Sequence, residues 1–206
     1  AAASASFMLY RPQLPQALSD TAAALLQKLG KSQASEPCPG FTISINGELL
    51  HAPYRVYYDE RALQQCIEQS SGPTQQLALC LGSRHANGHV RETCLRQLLA
   101  HDCGWVLPFV VRAAGEYVLE IAEHLTAQTH RLSPRSYGRF AAENPGFVII
   151  CKQQATSYWD CYHRQRYPLL HQHPGHGDAR PQQQAEREQA RRGDCRFDAL
   201  RRFTRA

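Results

Sequence analysis

The sequence of 206 residues contains no apolar run of the ~18–20 residues that a membrane-spanning helix requires. Its richest stretch, residues 105–125, is interrupted by Pro108, Arg112, Glu116, Glu120, Glu123 and His124. The opening residues have neither the charged start nor the apolar core of a secretory signal. There is no glycine-rich phosphate loop, no dinucleotide fingerprint and no Gly-x-Ser-x-Gly elbow, which removes the usual signatures of nucleotide and acyl-transfer enzymes. The close Cys-x2-Cys knuckle of structural zinc sites is missing as well. Charged residues make up 20% of the chain and hydrophobic ones 43%, a balance that excludes collagen-like and wholly disordered chains and suits one globular domain with a tail.

What charge there is lies unevenly. Residues 1–163 carry 13 Lys and Arg against 13 Asp and Glu, whereas residues 164–206 carry 10 Arg against 5 acids. The formal charge of +5 therefore belongs to the end of the chain rather than to a basic domain. Eight cysteines are present, and several fall at apolar positions of predicted helices, where a free thiol behaves as a small hydrophobe. With no secretory signal, a reducing cytoplasm is the expected compartment.

The fold expected from patterning is mainly α. Leu14, Leu18, Ala22, Leu25, Leu26 and Leu29 form a helical stripe that Gly30 ends. Residues 41–58 read differently. Phe41, Ile43 and Ile45 alternate with polar residues, and Asn46-Gly47 is the pair that a type I′ hairpin turn favours. One β-hairpin over about residues 41–58, with Pro53 at an edge or bulge, is expected to pack on helices. Short helices follow over residues 60–69 and 74–81. A cleaner one has Val90, Cys94, Leu95, Leu98 and Leu99 on its core face, with Arg91, Glu92, Arg96 and Gln97 opposite. Residues 105–126 read as one long central helix. Residues 137–143 and 154–166 read as further helices, and residues 147–151 fit strand or helix alike. The domain organisation expected is an N-terminal arm (1–13), one helical domain with its hairpin (14–167), and a basic tail of low hydrophobicity (168–206).

Arg84-His85-Ala86-Asn87-Gly88-His89-Val90-Arg91-Glu92-Thr93-Cys94-Leu95-Arg96-Gln97-Leu98-Leu99 resembles the first helix of a HEAT-type repeat, in which a polar Asn-Gly turn leads into a Val-Arg-Glu helix. The segment that follows, to about residue 126, resembles the second helix of such a pair. The resemblance covers about 40 residues. It implies a short α-solenoid of stacked helix pairs, over residues 60–81, 88–126 and 137–166, that serves as a protein-binding scaffold.

Several clusters carry possible chemistry. Cys80, His85, His89 and Cys94 have metal-like spacing, but both cysteines also match core positions. His171, His173, His176 and Asp178 form a second His-rich patch. Glu116, Glu120 and Glu123 would form an acidic ridge on one face of the long helix. Cys161 and His163 stand two residues apart, which points them in different directions on a helix. No catalytic residue, metal ligand or cofactor is assigned. The most distinctive stretch interleaves Tyr158, Trp159, Tyr162 and Tyr167 with His163, Arg164 and Arg166. Such a pattern fits an aromatic core face, a protein interface, or base stacking with phosphate contacts. The binding residues expected are Arg91, Arg96, Glu116, Trp159, Tyr162 and Arg164. The partner expected is another protein, with nucleic acid, held by the basic-aromatic helix and the tail, as the alternative; no membrane role is expected.

Overall fold

The computed structural model describes residues 18–30, 39–101 and 103–174. They build eight α-helices and one two-stranded antiparallel hairpin, so the chain is mainly α with an appended hairpin. The described residues divide into two compact units, with the boundary between Cys94 and Leu95. The expected arm (1–13), the expected basic tail beyond residue 174, and His176 and Asp178 within it lie outside the described residues.

In the first unit, α1 (Ser19–Leu29) buries Ala22, Leu25 and Leu29, three positions of the predicted stripe, and Gly30 ends it with φ 70°, a conformation that glycine adopts without strain. The hairpin pairs β1 (Gly40–Ile45) with β2 (Glu48–Pro53) in the register Phe41↔Ala52, Ile43↔Leu50, Ile45↔Glu48. Because side chains alternate across a strand, this register puts Phe41, Ile43, Leu50 and Ala52 on one buried face. Thr42 and His51 pair on the other face, 2.6 Å apart from Oγ1 to Nδ1. Asn46 and Gly47 both take positive φ, 53° and 83°, as the type I′ turn requires.

The hairpin ends at Pro53, short of the residue 58 expected. Beyond it the backbone turns to another partner. Val56 donates to the Arg84 carbonyl and accepts from the Ala86 amide, both at 2.9 Å, a single parallel bridge outside the sheet. The proline ends the pairing; Val56, although β-branched, finds its bridge partner in His85 rather than on β1.

Helix α2 (Glu60–Glu68) is capped by Asp59, whose carboxylate accepts from the Ala62 amide at 2.9 Å. Its stripe of Leu63, Cys66 and Ile67 is buried, and α2 packs on α3 (Gly72–Gly82). From Leu77 to Gly82 every residue of α3 is buried. Gly82 is there for space: a Cβ at that position would meet Cys94 Sγ and lie 3.4 Å from Leu63. Helix α4 (Gly88–Leu98) carries the motif singled out above, and its Cys94, Leu95 and Leu98 are buried as the stripe predicts.

The second unit holds the main departure from expectation. Residues 105–126 are not one helix. A 3₁₀ turn (Gly104–Val106) leads into α5 (Leu107–Ala113), the chain turns through Ala114–Val118, and α6 (Leu119–Gln128) follows. Every residue of α5 is buried, including Arg112, which explains the apolar circumference that made the stretch look central. Helices α7 (Pro134–Glu143) and α8 (Pro145–Tyr158) pack on α5 and on each other. Ser133 caps α7 by accepting from Ser136 N at 3.3 Å. The stretch 147–151, ambiguous in the sequence, is helix: Val148, Cys151 and Ala155 form the buried stripe of α8, and Ile149 and Ile150 face out.

Candidate binding surface of the second unit

The helix predicted over residues 154–166 changes character at its middle. α8 passes at Trp159 into a π-helical turn (Trp159–His163), then a hydrogen-bonded turn and an irregular segment with a 3₁₀ turn (Leu170–Gln172) that reaches Pro174. Single π turns inside helices recur at functional positions because the extra residue re-aims the side chains beyond it. Here the re-aiming gathers aromatic rings from three places. Tyr158 and Tyr162 stand 6.1 Å apart between centroids, and Tyr117, from the α5–α6 turn, lies 5.7 Å from the first and 6.3 Å from the second. The three rings are mutually inclined, at 67°, 51° and 32°, rather than stacked.

Hydrogen bonds hold the arrangement from beneath. His163 Nε2 donates to the Tyr117 carbonyl at 2.9 Å and so fixes the α5–α6 turn to the π turn. Trp159 Nε1 donates to the Tyr167 carbonyl at 2.7 Å and closes the chain back on itself. The His163 ring stacks on that of His173, 5.0 Å away at 19°, and Tyr167 meets His173 edge-on at 5.5 Å. Thr126 Oγ1 donates to the Pro174 carbonyl at 2.9 Å. His173 is buried, so the chain packs for several residues past Tyr167, where the tail was expected to begin.

Two arginines lie on rings of this surface. Arg164 stands over Trp159 at 5.5 Å and pairs with Asp160 at 2.8 Å. Arg166 stands over Tyr167 at 5.6 Å and reaches Glu123 Oε1 at 3.5 Å, where the Tyr167 hydroxyl also donates at 3.0 Å. Each unit is the same: an aromatic ring, a guanidinium above it, and a carboxylate beside the guanidinium. Exposed pairs of this kind contribute little to stability, at most about 1 kcal/mol each, which leaves them available for contact.

The expected site residues are brought together only in part. Trp159, Tyr162 and Arg164 belong to this surface. Arg96, exposed near the end of α4, meets His124 Nδ1 at 3.0 Å instead. Arg91 does not face solvent as the helical wheel implied. It is buried, and its Nη1 donates to the carbonyls of His85 and Ala86 at 2.8 Å each, closing the turn that precedes α4. Its long side chain runs back over the helix start, a local satisfaction of turn carbonyls that the wheel does not represent. Glu116 is also corrected. The break in the predicted long helix puts it in the α5–α6 turn, buried, so it forms no ridge with the exposed Glu120. Tyr167 belonged to the aromatic stretch singled out in the sequence, Glu123 to the expected acidic ridge and His173 to the His-rich patch, whereas Tyr117 was not anticipated. The signal for Tyr117 was Gly115, an isolated glycine inside an apparent helix.

Other clusters prove structural. His85 is buried, with Nε2 donating to the Tyr58 carbonyl at 2.9 Å and Nδ1 accepting from the Asn87 amide at 3.1 Å, so both nitrogens serve the backbone. Cys80 and Cys94 are buried, and burial pushes the Cys94 thiol up to about 12 and the Tyr58 phenol upward. Among the described residues no three potential ligands gather as a metal site, and no helix is long and apolar enough to cross a membrane. A shallow groove between α2 and α4, floored by Leu63, Ile67, Val90 and Cys94, is the other concavity of note. Comparison with protein families, curated proteins and solved structures finds no match to this chain.

Proposed function

We propose that the chain is a non-enzymatic helical scaffold of the HEAT-like kind, which binds another protein through the aromatic–arginine surface of its second unit. One observation carries the reading. Tyr162 is 67% exposed and Tyr117 42% exposed, in a ring cluster that the chain holds together with dedicated backbone hydrogen bonds. Large rings left outside a core are ordinarily scattered, whereas Trp, Tyr and Arg concentrated at one place are the residue types that dominate protein interfaces. The groups that might have served catalysis support the same reading through their structural roles: Glu116 is buried in a turn, and the His85 ring is committed to two backbone groups.

Nucleic acid is the less favoured partner because the arginines of this surface already stand beside carboxylates, Arg164 beside Asp160 and Arg166 beside Glu123. Phosphate binding draws on cations that release counterions, and cations neutralised in place do so weakly. The cytoplasm remains the compartment proposed, supported by six free cysteines among the described residues, four of them buried. The test is capture from lysate by the full chain, with and without nuclease. A protein retained through nuclease treatment, and lost when Tyr162→Ala is the bait, supports the scaffold. Retained material that disappears with nuclease refutes it in favour of nucleic-acid binding.

A further inference from the structure

We infer that the Tyr117–Tyr158–Tyr162 cluster takes an arginine side chain of the partner, its guanidinium lying against the rings. The inference rests on the protein-binding reading above and names the chemistry of the contact.

The geometry comes first. The three ring centroids form a triangle of sides 5.7, 6.3 and 6.1 Å. A point about 3.5 Å above such a triangle lies about 5 Å from all three centroids, inside the ~6 Å within which a cation is attracted by a ring face. The rings are inclined rather than stacked, so none hides the full face of another, and Tyr162 leaves two thirds of its surface to solvent. A single ring offers a cation little at an exposed site. Three centroids within reach of one point offer more, and the His163–Tyr117 hydrogen bond already ties the α5–α6 turn to the π turn.

The chain itself shows the preference twice. Arg164 on Trp159 and Arg166 on Tyr167 each place a guanidinium over a ring, within reach of a carboxylate. The tyrosine triangle has rings and carboxylates of the same kind. Asp160 lies two residues before Tyr162, and exposed Glu120 lies three residues after Tyr117, in the first turn of α6. Asp160 is already paired with Arg164, but Glu120 is exposed, and an exposed carboxylate beside the turn that carries Tyr117 favours a cation over a phosphate. Arginine suits it better than lysine, because a planar, weakly hydrated guanidinium lies flat on a ring while its edge donates to a carboxylate.

The experiment uses the full chain with its tyrosine rings 13C-labelled. Two probes are titrated: acetyl-Gly-Arg-Gly-amide and the same peptide with citrulline, which has the shape of arginine without its charge. The ring signals of Tyr117, Tyr158 and Tyr162 should shift with the arginine peptide, and the citrulline peptide should bind about three- to fivefold more weakly, the ratio of a modest cation–π contact. Tyr162→Phe should keep the difference and Tyr162→Leu should abolish it. Both substitutions are at an exposed ring, and an unchanged melting temperature confirms that the variants are folded. Equal binding of the two peptides, absence of ring shifts, or shifts indifferent to Tyr162→Leu would overturn the inference. If the two peptides bind equally while the captured protein is still lost from Tyr162→Ala, the arginine contact falls and the protein-binding surface stands.

Discussion

Replacing Gly115 by alanine tests the part of the second unit that positions the candidate surface. Gly115 lies in the turn between α5 and α6, one residue before buried Glu116 and two before Tyr117. Its φ is not in the left-handed region, so its reason is space rather than backbone freedom. A Cβ there would stand 2.9 Å from the Cys151 carbonyl oxygen and 3.3 Å from Cys151 Cα, both backbone atoms of α8, and 3.0 Å from Arg112 Nη1. A flexible side chain would swing aside, but a helix backbone must shift as a body. Overfilling of this kind destabilises by about 1–3 kcal/mol. Against it stands the ~0.4–1 kcal/mol that Gly→Ala contributes by restricting the unfolded chain. The net expectation is a loss of about 1–2 kcal/mol, and for a chain of this size a melting temperature lower by roughly 3–6 °C. Urea denaturation followed by tryptophan fluorescence measures the first, and a thermal scan the second. Gly146→Ala is the control: nothing lies within 4 Å of the added Cβ, and the residue sits in the first turn of α8. It should be neutral or slightly stabilising. A Gly115→Ala protein as stable as the wild type would show that the turn and α8 are not in the close contact on which the surface depends.

Three further expectations follow from the packing. Asp59→Ala removes the cap of α2 and should cost about 1 kcal/mol in the same urea assay, with Asp59→Asn retaining most of it. Leu98→Asp puts a carboxylate at a fully buried position of α4 and should unfold the chain or leave it without a cooperative transition, read by circular dichroism; wild-type-like melting would mean the helix register is wrong. The Cys94 thiol, pushed up to about 12 by burial, stays protonated in the fold when its unfolded counterpart has already ionised. Its contribution is whole below the unfolded value near 9 and is lost as pH rises toward 12, so Cys94→Ala should flatten the fall of melting temperature between pH 9 and pH 11 relative to wild type. An equal slope in both proteins would contradict that assignment.

How far the sequence foretold this depends on the range of the interactions involved. The hairpin was legible because alternation and an Asn-Gly turn are local, and the turn took the two positive φ values it needs. The stripes of α1 and α4 were legible for the same reason. The single helix over residues 105–126 failed because its apolar positions fit a 3.6-residue period on both sides of a break. Only Gly115 marked that break, and a glycine needed for close approach to α8 looks in sequence like one merely tolerated in a helix. Arg91 and Glu116 failed together with such helical-wheel reasoning. A wheel assigns charge to solvent, whereas Arg91 folds back onto the carbonyls of its own turn. Of the surface, Trp159, Tyr162 and Arg164 were visible as a composition. Tyr117 was not, and Glu123 was visible only as part of an acidic ridge, since both join the surface from some 40 residues away through tertiary packing, by way of the His163–Tyr117 and Tyr167–Glu123 hydrogen bonds.

The central claim is that this aromatic–arginine surface, and not the remainder of the exposed apolar residues, is where a protein partner binds. The most direct measurement is the dissociation constant of the nuclease-resistant captured partner for three proteins side by side: wild type, Tyr162→Ala, and Ile149→Ala, whose 54% exposed side chain lies on the outer face of α8. The account predicts at least about a tenfold loss of affinity for Tyr162→Ala, the size of a dominant interface residue, and no change for Ile149→Ala. Affinity unchanged in Tyr162→Ala, or lost in Ile149→Ala alone, would contradict it.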